Sequence, residues 1–102
     1  MNDEGFIGYV GIADLHDAVV LRVSVQDKKA EVAVRGYSGR EHVIVFEGVD
    51  QVEQNAPEGM LLYSLSEMRT QPPLRKFVFV NSQENHPAFL SVLAKDCRIR
   101  SK

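Results

Sequence analysis

Apolar and polar side chains alternate from Ala18 to Val49, and the alternation divides this stretch into three strands. The first, Ala18 to Gln26, puts Val19, Leu21, Val23 and Val25 on one face and Arg22, Ser24 and Gln26 on the other. The second, Lys29 to Arg35, sets Ala30, Val32 and Val34 against Glu31, Ala33 and Arg35. A period of two with one wet face is the pattern of a half-buried antiparallel sheet. Asp27-Lys28 is short enough for a hairpin loop, and Ser38-Gly39 supplies the positive φ that a second hairpin needs. The third strand, Glu41 to Glu47, differs. Val43, Ile44, Val45 and Phe46 are consecutive, so both of its faces are expected to be covered. Phe77-Val-Phe-Val80 reads the same way, and these two are the expected central strands.

The flanks supply the cover. Met1 to Gly5 is expected to fray. Phe6, Ile7, Tyr9 and Ile12 are expected to pack across the core as a plug, although Gly8 and Gly11 weaken any regular element there. Residues 55–69 read as a helix: Asn55 as cap, Pro57 in the first turn, Glu58 at the third position, and Leu61, Leu65 and Met68 on one face. Gly59 counts against it, and an extended Met60 to Leu65 stays open. Residues 81–87 form a loop rich in turn formers, and Ala88 to Arg100 reads as one last strand. The expected fold is α+β and mainly β: a largely antiparallel curved sheet or sandwich of about five to six strands with one short helix, in a single domain over residues 1–102.

Composition adds exclusions. With 44% apolar and 25% charged residues the chain can bury a core, and its net charge of −2 gives no general attraction to nucleic acid or to an anionic membrane. An acidic start without an apolar run, and no apolar stretch of bilayer length, point to the cytoplasm. Cys97 is the single cysteine, so there is no internal disulfide. The balance hides an asymmetry: residues 1–67 carry 12 acidic and 5 basic side chains, residues 68–102 carry 2 and 7. Between 41 and 67 there is no Lys or Arg, which makes Glu47, Asp50, Glu53 and Glu58 a candidate surface for a basic protein partner. The competing account pairs these carboxylates with Arg75, Lys76, Arg98 and Arg100 on neighbouring strands.

Candidate chemistry is sparse. Asp14, His16 and Asp17 form the densest polar cluster; two carboxylates around an imidazole can orient it or bind a metal, but Asx turns use the same residues. No second cluster completes a metal site, and no cofactor motif is present, so no catalytic, cofactor or metal residues are assigned. His86, beside Glu84, reads as a loop histidine, and His42 as a surface or half-buried strand residue. Cys97 lies next to Arg98, which would favour a thiolate, yet a lone cysteine late in a strand more often packs as a small apolar group. Phe77 and Phe79, near Arg75 and Lys76, have the alternation of a base-stacking platform, but Val78 and Val80 on the other face make them core residues.

Leu15-His-Asp-Ala18 opening a strand, Val45-Phe-Glu-Gly-Val49, and Phe77-Val-Phe-Val-Asn81 leading to a strand over Leu90 to Lys95 resemble a group of small bacterial β-rich domains of unknown function. Some of that group are classed with toxin-immunity proteins. The resemblance spans roughly residues 6–97 and implies a binding or accessory protein rather than an enzyme, with no catalytic residues to carry over. Three functions are therefore carried forward: a non-enzymatic protein-binding domain, immunity-like in form; a structural homodimer or larger homo-oligomer joined through a sheet edge; and a small enzyme using Asp14, His16 and Asp17, or Cys97.

Overall fold

The meander forms as its pattern dictates. In the computed structural model, which describes residues 5–83 and 85–101, β2 (Val19–Gln26), β3 (Lys29–Arg35) and β4 (Glu41–Glu47) run antiparallel in that order. Asp27 and Gly39 supply the positive φ values at the two turns. A fourth strand, β9 (Asp96–Ser101), closes the sheet beside β4. The remaining strands, β1 (Phe6–Tyr9), β5 (Gln51–Asn55), β6 (Leu62–Met68), β7 (Arg75–Asn81) and β8 (Phe89–Ala94), make a second antiparallel sheet in the order β1-β6-β7-β8-β5. The two sheets pack face to face as a sandwich. The core between them is built from Val20, Val32, Val34, Ile44 and Phe46 on one side and Leu62, Leu65, Phe77, Phe79, Leu90 and Val92 on the other. Val45, Phe46, Phe77 and Phe79 are all essentially inaccessible, as their strand patterns require.

The α+β expectation is corrected: the fold is mainly β, with nine strands in two sheets among the described residues rather than five or six, and no helix over residues 55–69. Ala56 and Gly59 both take positive φ, which ends any right-handed helix, and the chain turns there into β6. Leu61, Leu65 and Met68 share no face despite their helical spacing: Leu65 is in the core, Met68 pairs with Lys76 on the outer face, and Leu61 is half-buried before β6. Register shifts between Leu62 and Ser64, so Leu62 and Leu65 both face the core although they are three residues apart. A bulge between Val20 and Arg22 likewise resets β2, which turns Val20 and Val23 inward rather than Val19 and Leu21. Among the described residues the only helical element is the 3-10 turn Ala13–Leu15.

Ala88 to Arg100 is two strands, not one. At about 3.3 Å per residue thirteen residues would extend roughly 43 Å, beyond the 34 Å longest extent of the molecule. The chain turns at Lys95 and crosses to the other sheet. The N-terminal plug is also corrected. Phe6 to Tyr9 is an edge strand on β6, and Phe6, Ile7, Tyr9 and Ile12 are exposed. The expected fraying of residues 1–5 falls outside the described residues except at Gly5, whose carbonyl accepts a bond from the Arg69 amide.

Candidate functional site

The polar cluster of the first turn is split by the fold. Asp14 turns inward. Its carboxylate accepts bonds from the Ser38 amide (2.9 Å) and hydroxyl (2.8 Å) and from His42 Nε2 (2.8 Å). These donors, His42 first, hold its pKa down at about 2. Gly36 makes the approach possible, because a β-carbon there would run into the Asp14 carboxylate. His42 is buried, which corrects its reading as a surface or half-buried strand residue. An ionised carboxylate only accepts, so the His42 proton on that side sits on Nε2, and Nδ1 meets the Ser101 hydroxyl at 2.7 Å. Asp14, His42 and Ser101 thus join the 3-10 turn, β4 and β9 in one hydrogen-bonded chain. The order of groups is that of an acyl-transfer relay, but the cleft described below does not border Ser101. What the chain accomplishes is the burial of a histidine with both nitrogens satisfied.

His16 and Asp17 stay outside, 3.8 Å apart, so Asp14 and His16 do not form one site. His16 Nδ1 lies 2.6 Å from the Tyr63 carbonyl, which can only accept, so Nδ1 carries the proton and the ring stands edge-on to Tyr63. Beside it is a cleft of about 270 Å³ lined by Tyr9, Ile12, Leu15, His16, Tyr63 and Ser64, among others. The Cys97 thiol is pushed up to about 11, chiefly by burial, with Arg75 pulling the other way. Arg98, the expected activator, points to the opposite face and pairs with Glu47 at 3.2 Å. His86 caps its own loop by accepting from the Ala88 amide. Among the described residues no three His, Cys, Asp or Glu side chains converge as metal ligands do, and no helix is long and apolar enough to cross a membrane.

The acidic candidates do not share a surface. Glu47 lies on β4 in the four-stranded sheet, Glu53 is on the edge strand β5 of the other sheet, and Asp50 and Glu58 flank the two ends of β5. Complementary pairs across neighbouring strands are present: Glu47 with Arg98, and Glu67 with Arg75 in a two-pronged bond of 3.0 and 2.9 Å. That bond lowers the Glu67 pKa and raises that of Arg75. It closes one end of the sandwich, with the guanidinium 5.0 Å from the Phe77 ring centre.

The two outer faces of the sandwich differ sharply in chemistry. Register places Arg22, Glu31, Arg35, Glu41, Glu47, Asp96, Arg98 and Arg100 outward on the four-stranded sheet, together with Val19, Ala33, Val43 and Val45. Ala33, Val43 and Val45 are buried there in a small cluster with Leu21, and the ion pairs Arg22–Glu41, Lys29–Glu31 and Arg98–Glu47 lie on the same face. On the five-stranded sheet the outward positions are Phe6 and Tyr9 (β1), Ser64, Ser66 and Met68 (β6), Lys76, Val78 and Val80 (β7), Phe89, Ser91 and Leu93 (β8), and Gln51, Glu53 and Asn55 (β5). Lys76 and Glu53 are the only charges among them. Tyr9 is 67% exposed and Phe89 46%, and the cleft beside His16 opens at the β1–β6 corner of the same face.

No family model, curated protein or solved structure matches this chain.

The apolar face escapes a reading of the sequence because its members are scattered over five strands and two bulges shift their phase. His42 was within reach. It falls on the same phase as Ile44 and Phe46, and a histidine on the core phase of a central strand needs buried partners on both nitrogens. Asp14 and Ser101 could not be named as those partners, because each lies in a different element far along the chain.

Proposed function

We propose that this chain is a non-enzymatic protein-binding domain and that its contact surface is the outer face of the five-stranded sheet. The observation that carries this reading is the contrast between the two outer faces. On the four-stranded sheet the outward apolar residues Ala33, Val43 and Val45 are buried, and charged side chains and ion pairs meet the water. The five-stranded sheet instead presents Phe6, Tyr9, Met68, Val78, Val80, Phe89 and Leu93 around a furrow of serines, with two charges. Contiguous exposed apolar surface rimmed by polar groups marks interaction sites, and exposed aromatics are the side chains that anchor them. Of the acidic residues considered for a partner surface, Glu53 belongs to this face, as part of its polar rim. An immunity-like role is one form of the same reading, with a toxin domain as the partner.

The test is site-specific photo-crosslinking in the cells that make the protein. Benzoylphenylalanine replaces Tyr9 or Phe89 on the five-stranded sheet, or Ser24 or Arg35 on the four-stranded sheet. Discrete adducts from Tyr9 and Phe89 and none from Ser24 and Arg35 are expected. Adducts only from the second pair, or equal yields from both faces, overturn the reading.

A further inference from the structure

We infer that the occupant of this face is a second copy of the same chain, in a twofold dimer whose axis runs along β7. The inference rests on the reading that the face is the contact surface, and it names the partner. The argument comes from relief. Strand β7 is the middle of the five, and its outward residues are flanked row by row: Val78 by Ser66 on the β6 side and Ser91 on the β8 side, Lys76 by Met68 and Leu93, and Val80 by Ser64, with Phe89 on β8 one residue beyond the last paired row, Phe79 with Leu90. On the β6 side Ser64 and Ser66 are sunken, only 8% and 3% exposed although they point away from the core, and their hydroxyls bond each other at 2.9 Å. On the β8 side Phe89 stands up. The Ser64–Ser66 groove and the Phe89 ring therefore lie one strand away on either side of β7, and a second cleft of about 160 Å³ lies further along the β8 side, lined by Gln51, Glu53, Lys76, Ser91 and Leu93.

A twofold rotation about an axis along β7 exchanges the two sides. It lays Phe89 of one copy over Ser64 of the other, beside the cleft at the β1–β6 corner, and does so twice by symmetry. Val78 meets its own counterpart at the axis. The sheets then stack in the aligned manner of sandwich packing. Five strands at about 4.8 Å and six residues at about 3.3 Å give a footprint of roughly 500 Å² per copy. The total of about 1,000 Å² lies at the lower bound for a specific interface, the range of weak and reversible association. One contact is unfavourable: the two Lys76 ammonium groups approach each other at one end of the axis.

Sedimentation velocity from about 1 to 500 µM reads the association. A monomer–dimer equilibrium is expected, weakened at least tenfold by Phe89→Asp and by Ser66→Arg and strengthened several-fold by Lys76→Gln. Each variant is first checked for a native circular-dichroism spectrum and melting transition. In a Cys97→Ser background, Val78→Cys is expected to form an intermolecular disulfide under mild oxidation, and Ser24→Cys on the other face is not. A chain that stays monomeric throughout this range overturns the inference, as does a dimer that cross-links through Ser24→Cys and not Val78→Cys. Failure here is distinguishable from failure of the binding-domain reading. A monomer that still cross-links in cells from Tyr9 and Phe89 to a different protein loses the second copy as partner and keeps the surface. A monomer without such adducts loses both.

Discussion

Phe46 is the side chain through which the two sheets hold each other. It projects from β4 in the four-stranded sheet, is wholly buried, and its ring centre lies 5.2 Å from that of Phe77 and 5.9 Å from that of Phe79, both on β7 of the opposite sheet. Replacing it with Ala removes the transfer free energy of a buried aromatic, about 2–3 kcal/mol. It also removes two tilted ring contacts worth about 0.5–1.5 kcal/mol each. Partial collapse of the walls returns some of this, so a net loss of about 3–5 kcal/mol is expected. The whole domain has about 5–15 kcal/mol of stability, so the variant should lie close to unfolding under mild conditions.

The assay is urea denaturation followed by far-ultraviolet circular dichroism, since the chain has no tryptophan to report by fluorescence. The midpoint should fall with the denaturant slope unchanged. Phe89→Ala is the control. That ring is 46% exposed on the outer face, and at concentrations where the chain is monomeric its loss should cost under about 1 kcal/mol. A loss below about 1 kcal/mol for Phe46→Ala, or equal losses for both variants, would refute the argument that the inter-sheet ring cluster carries the fold.

Gly36→Ala should destabilise by about 1–3 kcal/mol, since its β-carbon collides with the Asp14 carboxylate; the double variant with Asp14→Ala should show less than the sum of the two single losses, and strict additivity in thermal melts would sink the contact. The Asp14 pKa of about 2 lies below its ordinary 3.8, so its contribution is fully present above about pH 4 and is lost as pH falls from about 4 to 2. Asp14→Asn should flatten that part of the acid-denaturation curve, and an unchanged curve would count against the His42 and Ser38 bonds. The depressed Glu67 has the same sign and persists as a residual slope. Cys97, raised to about 11, should react slowly with a thiol reagent at pH 8 and accelerate only toward pH 11, so labelling at the rate of an ordinary exposed thiol would disprove its burial.

The parts of the fold legible in the sequence are those where one residue of phase error would have shown. In Lys29–Arg35 the alternation and in Glu41–Glu47 the unbroken apolar run proceed without a bulge, and both strands end where their patterns end. In β2 and β6 a single bulge converts a period of two into a spacing of three, at Val20 and Val23 and at Leu62 and Leu65, so simple alternation no longer marks the core face. The second illegible feature is distance. Asp14, His42 and Ser101 occupy three elements, and nothing local distinguishes Asp14, which is drawn into the molecule, from Asp17 three residues later, which remains in water. The charge asymmetry was legible as a fact but not as a site, because strand pairing spends Glu47 and Glu67 on Arg98 and Arg75.

The edges of the sandwich bear on the proposed contact face. Self-association through an edge was the other route open to a small β-rich chain, and each edge here is poorly made for it. Strand β1 has four residues and a register irregularity between Phe6 and Gly8. Strand β5 is polar and carries Glu53, and β9 carries Arg98 and Arg100. Strand β2 has a bulge between Val20 and Arg22 that breaks the even ladder a partner strand would need. Short, charged and bulged edges are the devices by which β proteins prevent strand addition. On the five-stranded sheet those same protections stop at the edges. Across its interior rows β6, β7 and β8 offer Val, Ser, Met, Leu and Phe with Lys76 as the lone charge among those three strands. The protected edges and the apolar chemistry of this face are therefore complementary grounds for the proposed contact, which would bring a partner on sheet to sheet rather than strand to strand.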